Sequence, residues 1–236
     1  MSLETRTFIE KNLRAISEKI EDLAIKHHRA PDEVQLLAVS KTKPAESLQI
    51  AYEIGIRDFG ENYLQEALSK IAILPNDISW HFIGAIQSNK TKLIAENFAW
   101  AHTVSTFKVA ERLNRQRLKS LSPLNICLQM NINQESSKAG VDIQNEAILE
   151  SLIEKIRSLP NLKLRGLMCI PEATQDFEIQ CQNFARLKII FDRLNQKLSL
   201  NMDTLSMGMS GDLEAAIKEG STMVRIGTDI FGKRLP

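Results

Sequence analysis

Eight short apolar segments alternate with helical stretches along this 236-residue chain, and this alternation constrains the fold more than any other feature. The segments are residues 34–39, 56–59, 80–83, 99–104, 125–130, 164–168, 204–207 and 222–226. Helical periodicity lies between them, for example at residues 48–54, 107–118, 147–156 and 177–198. Strands that alternate with helices predict a parallel sheet. Eight such units favour closure into a single (β/α)8 TIM barrel, and the chain has the length that this fold needs.

An open, doubly wound sheet is the structural alternative. Its nucleotide-binding signature, Gly-x-Gly-x-x-Gly after the first strand, is replaced here by Ser-Lys-Thr-Lys-Pro at residues 40–44. Ahead of the first strand, residues 3–29 carry an apolar stripe at steps of three and four, which predicts an extra N-terminal helix. We expect residues 1–30 to dock on the barrel and residues 1–236 to form one α/β domain.

Composition excludes several classes of protein. The formal net charge is +1, whereas nucleic-acid-binding proteins usually present a strongly basic face. Three cysteines, Cys127, Cys169 and Cys181, are too few and too scattered for a disulfide framework or a zinc site. Apolar runs are too short to span a bilayer, and the N-terminus does not resemble a signal peptide. We therefore expect a cytoplasmic protein with no nucleic-acid or membrane partner and no metal.

Small residues follow the last two predicted strands, and these loops form the phosphate site of many β/α barrels. Gly208, Ser210 and Gly211 follow the seventh strand, and Gly227 and Thr228 follow the eighth. Glycine lets the backbone approach an anion closely, and a helix that begins near residue 211 adds free N–H groups. The alternative is an ordinary loop with a helix cap at Ser210. Within a barrel, the phosphate site is favoured.

Two basic residues end the strands beside this predicted site. Lys41 ends the first strand, so it should point into the barrel mouth, where partial burial would make its amine nucleophilic. Alone, it reads more simply as a surface lysine. Opposite a phosphate site, it predicts a Schiff base with pyridoxal 5'-phosphate (PLP). Arg225 ends the eighth strand and either binds the phosphate or faces the pyridine nitrogen, which it would leave unprotonated.

Several long motifs in a fixed order extend this interpretation. They are residues 38–44, 59–66, 80–90, 131–133 with 137–141, 165–168, 205–212 and 224–232. On these residues the chain resembles the YggS/PROSC family of PLP-binding, or PLP-homeostasis, proteins. The resemblance covers nearly everything from Leu36 onward and implies a barrel like the N-terminal domain of bacterial alanine racemase.

The resemblance also implies roles for particular residues. It assigns Lys41 to the Schiff base and Arg225 to the ring nitrogen. It places Ser210, Gly227 and Thr228 around the phosphate, with assistance from Ser206, and it places Asn62, His81 and Met168 near the ring. On the residues alone, His81 fits a satisfied strand histidine equally well, and core packing is slightly favoured for Met168. Lys138 reads as a solvated lysine, although its motif hints at ligand handling.

Three functions remain open at this point: a carrier in PLP homeostasis, a weak amino-acid racemase, and a regulatory protein that reports PLP status. Racemisation needs an acid/base group on each face of the substrate. Alanine racemase takes one from a second domain, which these residues do not include, and the chain has only two tyrosines, Tyr52 and Tyr63. We therefore expect a monomeric carrier rather than an enzyme, with PLP and other B6 vitamers as ligands and apo PLP enzymes as transient partners.

Overall fold

Eight parallel strands close into a barrel in the computed structural model, which describes residues 3–133, 140–142 and 146–233. Nine strands are described, of which all but β6 form the ring: β1 Gln35–Val39, β2 Asp58–Glu61, β3 Ser79–Phe82, β4 Trp100–Val104, β5 Leu124–Asn131, β6 Val141–Asp142, β7 Leu162–Cys169, β8 Thr204–Ser206 and β9 Met223–Ile226. Their order is β4-β3-β2-β1-β9-β8-β7-β5-β6, and an additional pairing of β4 with β5 closes the ring. The predicted (β/α)8 barrel is confirmed, and β6 is a short addition beside β5.

Helices cover the outside of this ring. They are α1 Leu3–Lys26, α2 Ala45–Ile54, α3 Leu64–Ile71, α4 Thr91–Asn97, α5 Phe107–Gln116, α6 Glu146–Arg157, α7 Phe177–Lys197, α8 Leu213–Lys218 and α9 Thr228–Phe231. A single 3-10 turn, Pro31–Glu33, precedes β1. No helix among the described residues combines the length and the apolar character that crossing a bilayer requires.

The N-terminal helix α1 packs on the barrel through its apolar stripe. Ile9, Leu13, Ile16 and Ile20 are buried in the main core cluster, and Asn12 donates a hydrogen bond to the carbonyl of Ile230 at 3.1 Å. Burial of one such aliphatic side chain stabilises the fold by about 1.5–3 kcal/mol. These contacts explain why a 24-residue helix lies against the barrel instead of extending away from it.

Most boundaries differ from the prediction by one to three residues, and local contacts explain two of these shifts. Helix α1 ends at Lys26, before the predicted residue 29, because His28 adopts a left-handed conformation (φ 57°) and the Arg29 N–H bonds to the Ala24 carbonyl in a Schellman motif. Strand β2, Asp58–Glu61, begins and ends two residues later than the predicted 56–59, and the N–H of residue 56 still donates to the Ala51 carbonyl of α2 at 3.0 Å.

Inward-facing side chains fill the barrel in two apolar groups. One consists of Leu37, Val39, Ile83 and Met223, and the other of Trp100, Cys127 and Met168. Residues alternate between the two faces of a strand, so these positions face the interior while their neighbours pack under the helices. Polar side chains lie between the two groups, and they lead to the functional site.

Candidate functional site

A cavity of about 300 Å³ opens at the carboxyl ends of the strands. Its lining comes from the ends of β1, β2, β3, β7 and β9 and from the loop after β8: Val39, Lys41, Asn62, Ile83, Met168, Ile170, Met209, Ser210, Gly211, Arg225, Gly227 and Thr228. Side chains at strand ends converge here because all the strands are parallel. A basic wall and two small-residue loops therefore share one mouth.

The two small-residue loops form one side of the cavity. Ser210 and Gly211 belong to the loop after β8, and Gly227 and Thr228 begin α9. Within the described residues, none of these four donates its backbone N–H to a turn or cap hydrogen bond. Such N–H groups are the ordinary partners of a bound phosphate. The four residues predicted to hold a phosphate thus lie together on one side of the cavity, and the phosphate site itself stays a prediction.

The cap of α8 lies at Asp212 and not at Ser210, the alternative considered from the sequence. Asp212 accepts a hydrogen bond from the Met209 N–H at 2.6 Å, and burial raises the pKa of this carboxyl. Just upstream, Gly208 has φ 96°, and a Cβ there would lie 2.5 Å from the Ala216 Cβ. Only glycine fits this position, so the loop keeps its shape and leaves Ser210 facing the cavity.

Lys41 follows β1, the strand that pairs with β9, so it lies beside the loop of Gly227 and Thr228. A network of charged side chains holds the residue before Lys41. The Ser40 hydroxyl donates to Glu61 Oε1 at 2.6 Å, and the Ser40 carbonyl accepts from Lys70 Nζ at 2.8 Å. Lys70 also pairs with Glu61 Oε1 at 2.7 Å, although both residues are almost completely buried. Burial raises the pKa of the Glu61 carboxyl, and the Lys70 ammonium opposes this shift.

The residue after Lys41 is held by the same network. Thr42 adopts a left-handed conformation (φ 62°), and its N–H donates to Glu66 Oε1 at 2.6 Å. Glu66 also accepts from Lys70 Nζ at 2.6 Å, so the three hydrogens of this ammonium are all bonded. We call Ser40, Glu61, Glu66 and Lys70 the charged brace. It fixes the backbone on both sides of Lys41.

The side-chain oxygen of Asn62 stands out among the polar atoms of the site. This Oδ1 is buried and has no hydrogen-bond partner among the described residues. The backbone of Asn62 packs closely against Gly84, where an added Cβ would lie 2.2 Å from the Asn62 backbone carbonyl oxygen. Buried polar atoms normally find partners, so this acceptor is an exception. Asn62 as a residue lines the cavity, whereas its Oδ1 lies below the cavity surface.

Arg225 enters the cavity from the barrel interior, with only 5% of its surface exposed. Its Nη1 donates to the Ser206 hydroxyl at 3.0 Å and to the Ser206 carbonyl, and its Nη2 donates to the Cys169 carbonyl at 2.9 Å. Burial lowers the pKa of this guanidinium, which still remains protonated near neutral pH. Burial likewise raises the pKa of the Cys127 and Cys169 thiols to about 12, which makes them inert core residues.

Seven of the nine residues predicted for the site line the cavity: Lys41, Asn62, Met168, Ser210, Arg225, Gly227 and Thr228. His81 and Ser206 do not. Both are completely buried in the barrel interior, where each bonds to His102 at 2.9 Å, and Ser206 also bonds to Arg225. They lie behind the arginine rather than against a ligand. Lys138 falls outside the described residues.

Sequence reasoning missed the charged brace and His102. The spacing of Glu66 and Lys70, four apart on one helix, is a readable ion-pair signal. His102 lies two residues after Trp100 on β4, as His81 lies two after Ser79 on β3. This period of two marks inward-facing polar residues on neighbouring strands and could have revealed the pair.

The residues present fit PLP. A lysine, an arginine, an asparagine amide and a cradle of backbone N–H groups surround one cavity. These are the groups needed for an aldehyde, a ring nitrogen, a ring hydroxyl and a phosphate, respectively.

Comparisons with known proteins agree with this fit. Residues 12–235 match the family model of the alanine racemase N-terminal domain. A protein of Pseudomonas aeruginosa named pyridoxal phosphate homeostasis protein is 52% identical over 96% of each chain. A protein of the same name from Escherichia coli K12 is 46% identical over 96% of this chain and 97% of its own.

Solved structures share the fold. PipY of Synechococcus elongatus, solved with PLP bound, is 35% identical, with a TM-score of 0.81 over 95% of this chain and 100% of that chain. Alanine racemase of Clostridium difficile 630 is 14% identical, with a TM-score of 0.75 over 97% of this chain and 56% of that chain, and shares the barrel alone. The chain belongs to the pyridoxal phosphate homeostasis protein family, which is built on the alanine racemase N-terminal domain.

Proposed function

We propose that this chain binds PLP in the barrel mouth and acts as a carrier or reservoir in PLP homeostasis, with effects on amino-acid and keto-acid metabolism. The observation that carries the proposal is the convergence of Lys41, Arg225 and the two small-residue loops on one cavity. Bound PLP supplies an aldehyde that a lysine amine captures as a Schiff base. Lys41 would provide that amine, and residues 210, 211, 227 and 228 would hold the phosphate.

The cavity wall supports a carrier more than a racemase. Among the described residues that line it, Lys41 is the one side chain suited to take up a proton from a substrate near neutral pH. Racemisation needs a second such group on the opposite face. The relatives from Pseudomonas aeruginosa and Escherichia coli are named as homeostasis proteins, which also supports a carrier.

The wider proposal concerns partners. B6 vitamers that keep the ring and the phosphate would use the same cradle without the link to Lys41. A Schiff base is reversible, so a loaded chain could deliver PLP to apo enzymes in transient encounters. We propose that residues 1–236 act as one domain, as a monomer, and in the cytoplasm.

The absorption spectrum of the purified protein tests the proposal. With PLP, we expect a violet-region band that is lost in Lys41→Ala and retained in Lys43→Ala. Lys43 is a matched control because it lies two residues away and bonds to the Gly232 carbonyl at 2.9 Å. No band with wild-type protein and added PLP would overturn PLP binding.

Two further measurements separate carrier from enzyme. The loaded protein is mixed with an apo PLP-dependent enzyme, and we expect that enzyme to regain activity while the violet band fades. The enantiomers of alanine are then added while chirality is monitored, and we expect no change. Rapid racemisation that depends on Lys41 would make the protein an enzyme and overturn the carrier assignment.

A further inference from the structure

A continuous chain of hydrogen bonds runs through the barrel from the end opposite the cavity to Arg225. We call its four members, Asp58, His81, His102 and Ser206, the interior relay. The successive contacts are Asp58 Oδ1 to His81 Nε2 at 2.9 Å, His81 Nδ1 to His102 Nε2 at 2.9 Å, His102 Nδ1 to Ser206 Oγ at 2.9 Å, and Ser206 Oγ to Arg225 Nη1 at 3.0 Å.

The hydrogen-bonding capacities of Asp58 and Arg225, at the two ends, are compatible with one order of protons along the relay. The Asp58 carboxylate can only accept, so His81 donates from Nε2, and its Nδ1 is then an acceptor in the neutral ring. His102 must donate to that nitrogen from its own Nε2, and its Nδ1 must accept from the Ser206 hydroxyl. Arg225 can only donate, and it completes the chain. With both histidines neutral, the Asp58 end sets this order, with each ring protonated on Nε2. The Arg225 end is compatible with it, because the Ser206 hydroxyl can accept from Arg225 while it donates to His102.

The surroundings keep the histidines neutral. Burial lowers the pKa of His81 against the opposing pull of Asp58, and it lowers that of His102 further, with help from His81 and Arg225. His81 Nε2 also lies 3.2 Å from the Ser79 hydroxyl oxygen, which accepts from the same N–H as Asp58, and the ring stacks on Trp100 with centroids 5.2 Å apart. Two other charged groups lie near Trp100: Arg165, which lies over its ring, and Asp203, which pairs with Arg165. The titratable groups near Arg225 are Cys127, Cys169 and Asp212.

Aligned in this way, each member turns a lone pair toward Arg225 and an N–H or O–H toward Asp58. Chains of hydrogen bonds in a low dielectric polarise one another. The relay therefore stabilises a buried guanidinium whose direct partners are neutral oxygens. The Ser206 hydroxyl and carbonyl occupy Nη1, and the Cys169 carbonyl takes one hydrogen of Nη2. The second Nη2 hydrogen and the Nε hydrogen of this cavity-lining residue have no acceptor in the described part of the chain.

We propose that the interior relay positions Arg225 for the ligand. The direction of the hydrogen bonds, set at Asp58 at the end of the barrel opposite the cavity, would then control how tightly the cavity binds its ligand. The proposal rests on the proposed function, because PLP is the ligand whose ring nitrogen would take the remaining donor. Its members are positioning residues and not catalytic ones. Coupling of this kind is reciprocal, so a ligand at Arg225 should also affect Asp58.

Asp58→Asn is the decisive change. The asparagine amide keeps the shape of the side chain but can donate as well as accept. It therefore no longer forces His81 to carry its proton on Nε2. The matched control is Asp203→Asn, since Asp203 pairs with Arg165 at the same mouth but lies outside the relay. Asp58 is partly exposed, with a side-chain exposure of 25%, so the substitution should leave the fold intact.

The first readout is nitrogen-15 NMR of the histidine rings, without ligand. For wild type and Asp203→Asn, we expect both relay histidines to be neutral with the proton on Nε2. For Asp58→Asn, we expect mixed tautomers at both His81 and His102. Unchanged tautomers in Asp58→Asn would overturn the proposal. This readout needs no PLP, so it stands even if wild-type protein binds none and the proposed function fails.

The second readout is PLP affinity from the violet band. We expect Asp58→Asn and Ser206→Ala each to weaken binding about tenfold, as expected for one hydrogen bond to a charged group. The double variant should be no weaker than either single one, because both break the same chain. Affinities within twofold of Asp203→Asn, or losses that multiply, would show that the relay does not act on Arg225. Circular dichroism checks that each variant is folded.

Discussion

The charged brace and the interior relay solve the same problem, the fixing of one basic residue, with opposite chemistry. The brace lies between the sheet and α3 and uses full charges, with Lys70 against Glu61 and Glu66. The relay lies inside the barrel and uses neutral rings and a hydroxyl between a single carboxylate and Arg225.

The difference reflects what each network must hold. The brace bonds to backbone atoms on either side of Lys41. Charges that pair closely can be buried together. The relay must present a cation that stays charged. A carboxylate in direct contact would occupy that cation, whereas a relay of neutral dipoles stabilises it and leaves a donor for a ligand.

The largest effect should come from breaking the brace. Lys70→Met leaves the Glu61 carboxylate buried without its partner, and removal of one member of a buried ion pair costs about 3–5 kcal/mol of unfolding free energy. Denaturant unfolding followed by tryptophan fluorescence measures this. The control is Lys92→Met, whose partner Glu96 lies 3.8 Å away on an exposed helix face and whose loss should cost about 0.5 kcal/mol or less.

A second variant distinguishes charge from packing. Adding Glu61→Gln to Lys70→Met removes the orphaned charge and should restore part of the lost stability. If the double variant is as unstable as Lys70→Met or less stable, the lysine stem contributes more than the ion pair, and the contrast with the relay disappears.

The alternation of strands and helices was enough to predict the barrel and to locate Lys41 and Arg225, because the end of a strand is a property of one segment. The two networks depend on contacts between segments. Glu61 and Lys70 are nine residues apart, on a strand and on the helix that covers it, and His81 and His102 are 21 apart on neighbouring strands. Their pairing follows from barrel register, which periodicity within a segment does not contain.

The same reasoning explains why His81 and Ser206 were expected at the ligand. Both are polar residues on strands that lead to the cavity, and period-two alternation correctly faces them inward. Depth along the barrel axis decides whether an inward-facing residue meets a ligand or another side chain. That depth depends on the tilt and stagger of the strands, and it places Arg225 between these two residues and the mouth.

The next largest effect is on the pH dependence of the unfolding free energy. As pH falls, the relay histidines should lower this free energy, whereas Glu61 of the brace should raise it. The folded-state pKa of His81 and His102 is lower than that of an unfolded histidine. As pH falls through about 6.5, the unfolded chain takes up protons that the folded chain does not, so unfolding becomes easier. Each histidine should lower the unfolding free energy by up to about 1.4 kcal/mol per pH unit. Urea unfolding between pH 7.5 and 5.5 measures this slope.

Variants assign the slope to each network. His81→Gln with His102→Gln should flatten it, since glutamine does not titrate, and an unchanged slope would contradict the assignment. Glu61 has a raised folded-state pKa, so it takes up its proton more readily in the folded chain and favours folding as pH falls. When urea unfolding is extended down to about pH 4.5, the ordinary pKa of a glutamate, Glu61→Gln should therefore make the loss of stability steeper. A shallower loss would reverse the proposed contrast.

The smallest effect tests whether the brace holds Thr42 against strain. A non-glycine residue in the left-handed region costs about 1–2 kcal/mol, so Thr42→Gly should relieve that cost. Glycine gives back about 0.5–1 kcal/mol through the greater freedom of the unfolded chain. A net gain of about 0.5–1 kcal/mol remains, which corresponds to a rise in melting temperature of about 1–4 °C for a chain of this size.

Ala15→Gly measures the cost of glycine alone, because Ala15 is exposed within α1, and it should lose about 1 kcal/mol. PLP affinity of Thr42→Gly should stay within twofold of wild type, because the N–H that donates to Glu66 belongs to the backbone and survives the substitution. If stability rises while PLP binding weakens about tenfold, the strained threonine itself orients Lys41. The brace would then set only the position of that loop, whereas the relay would remain the network that aims a side chain.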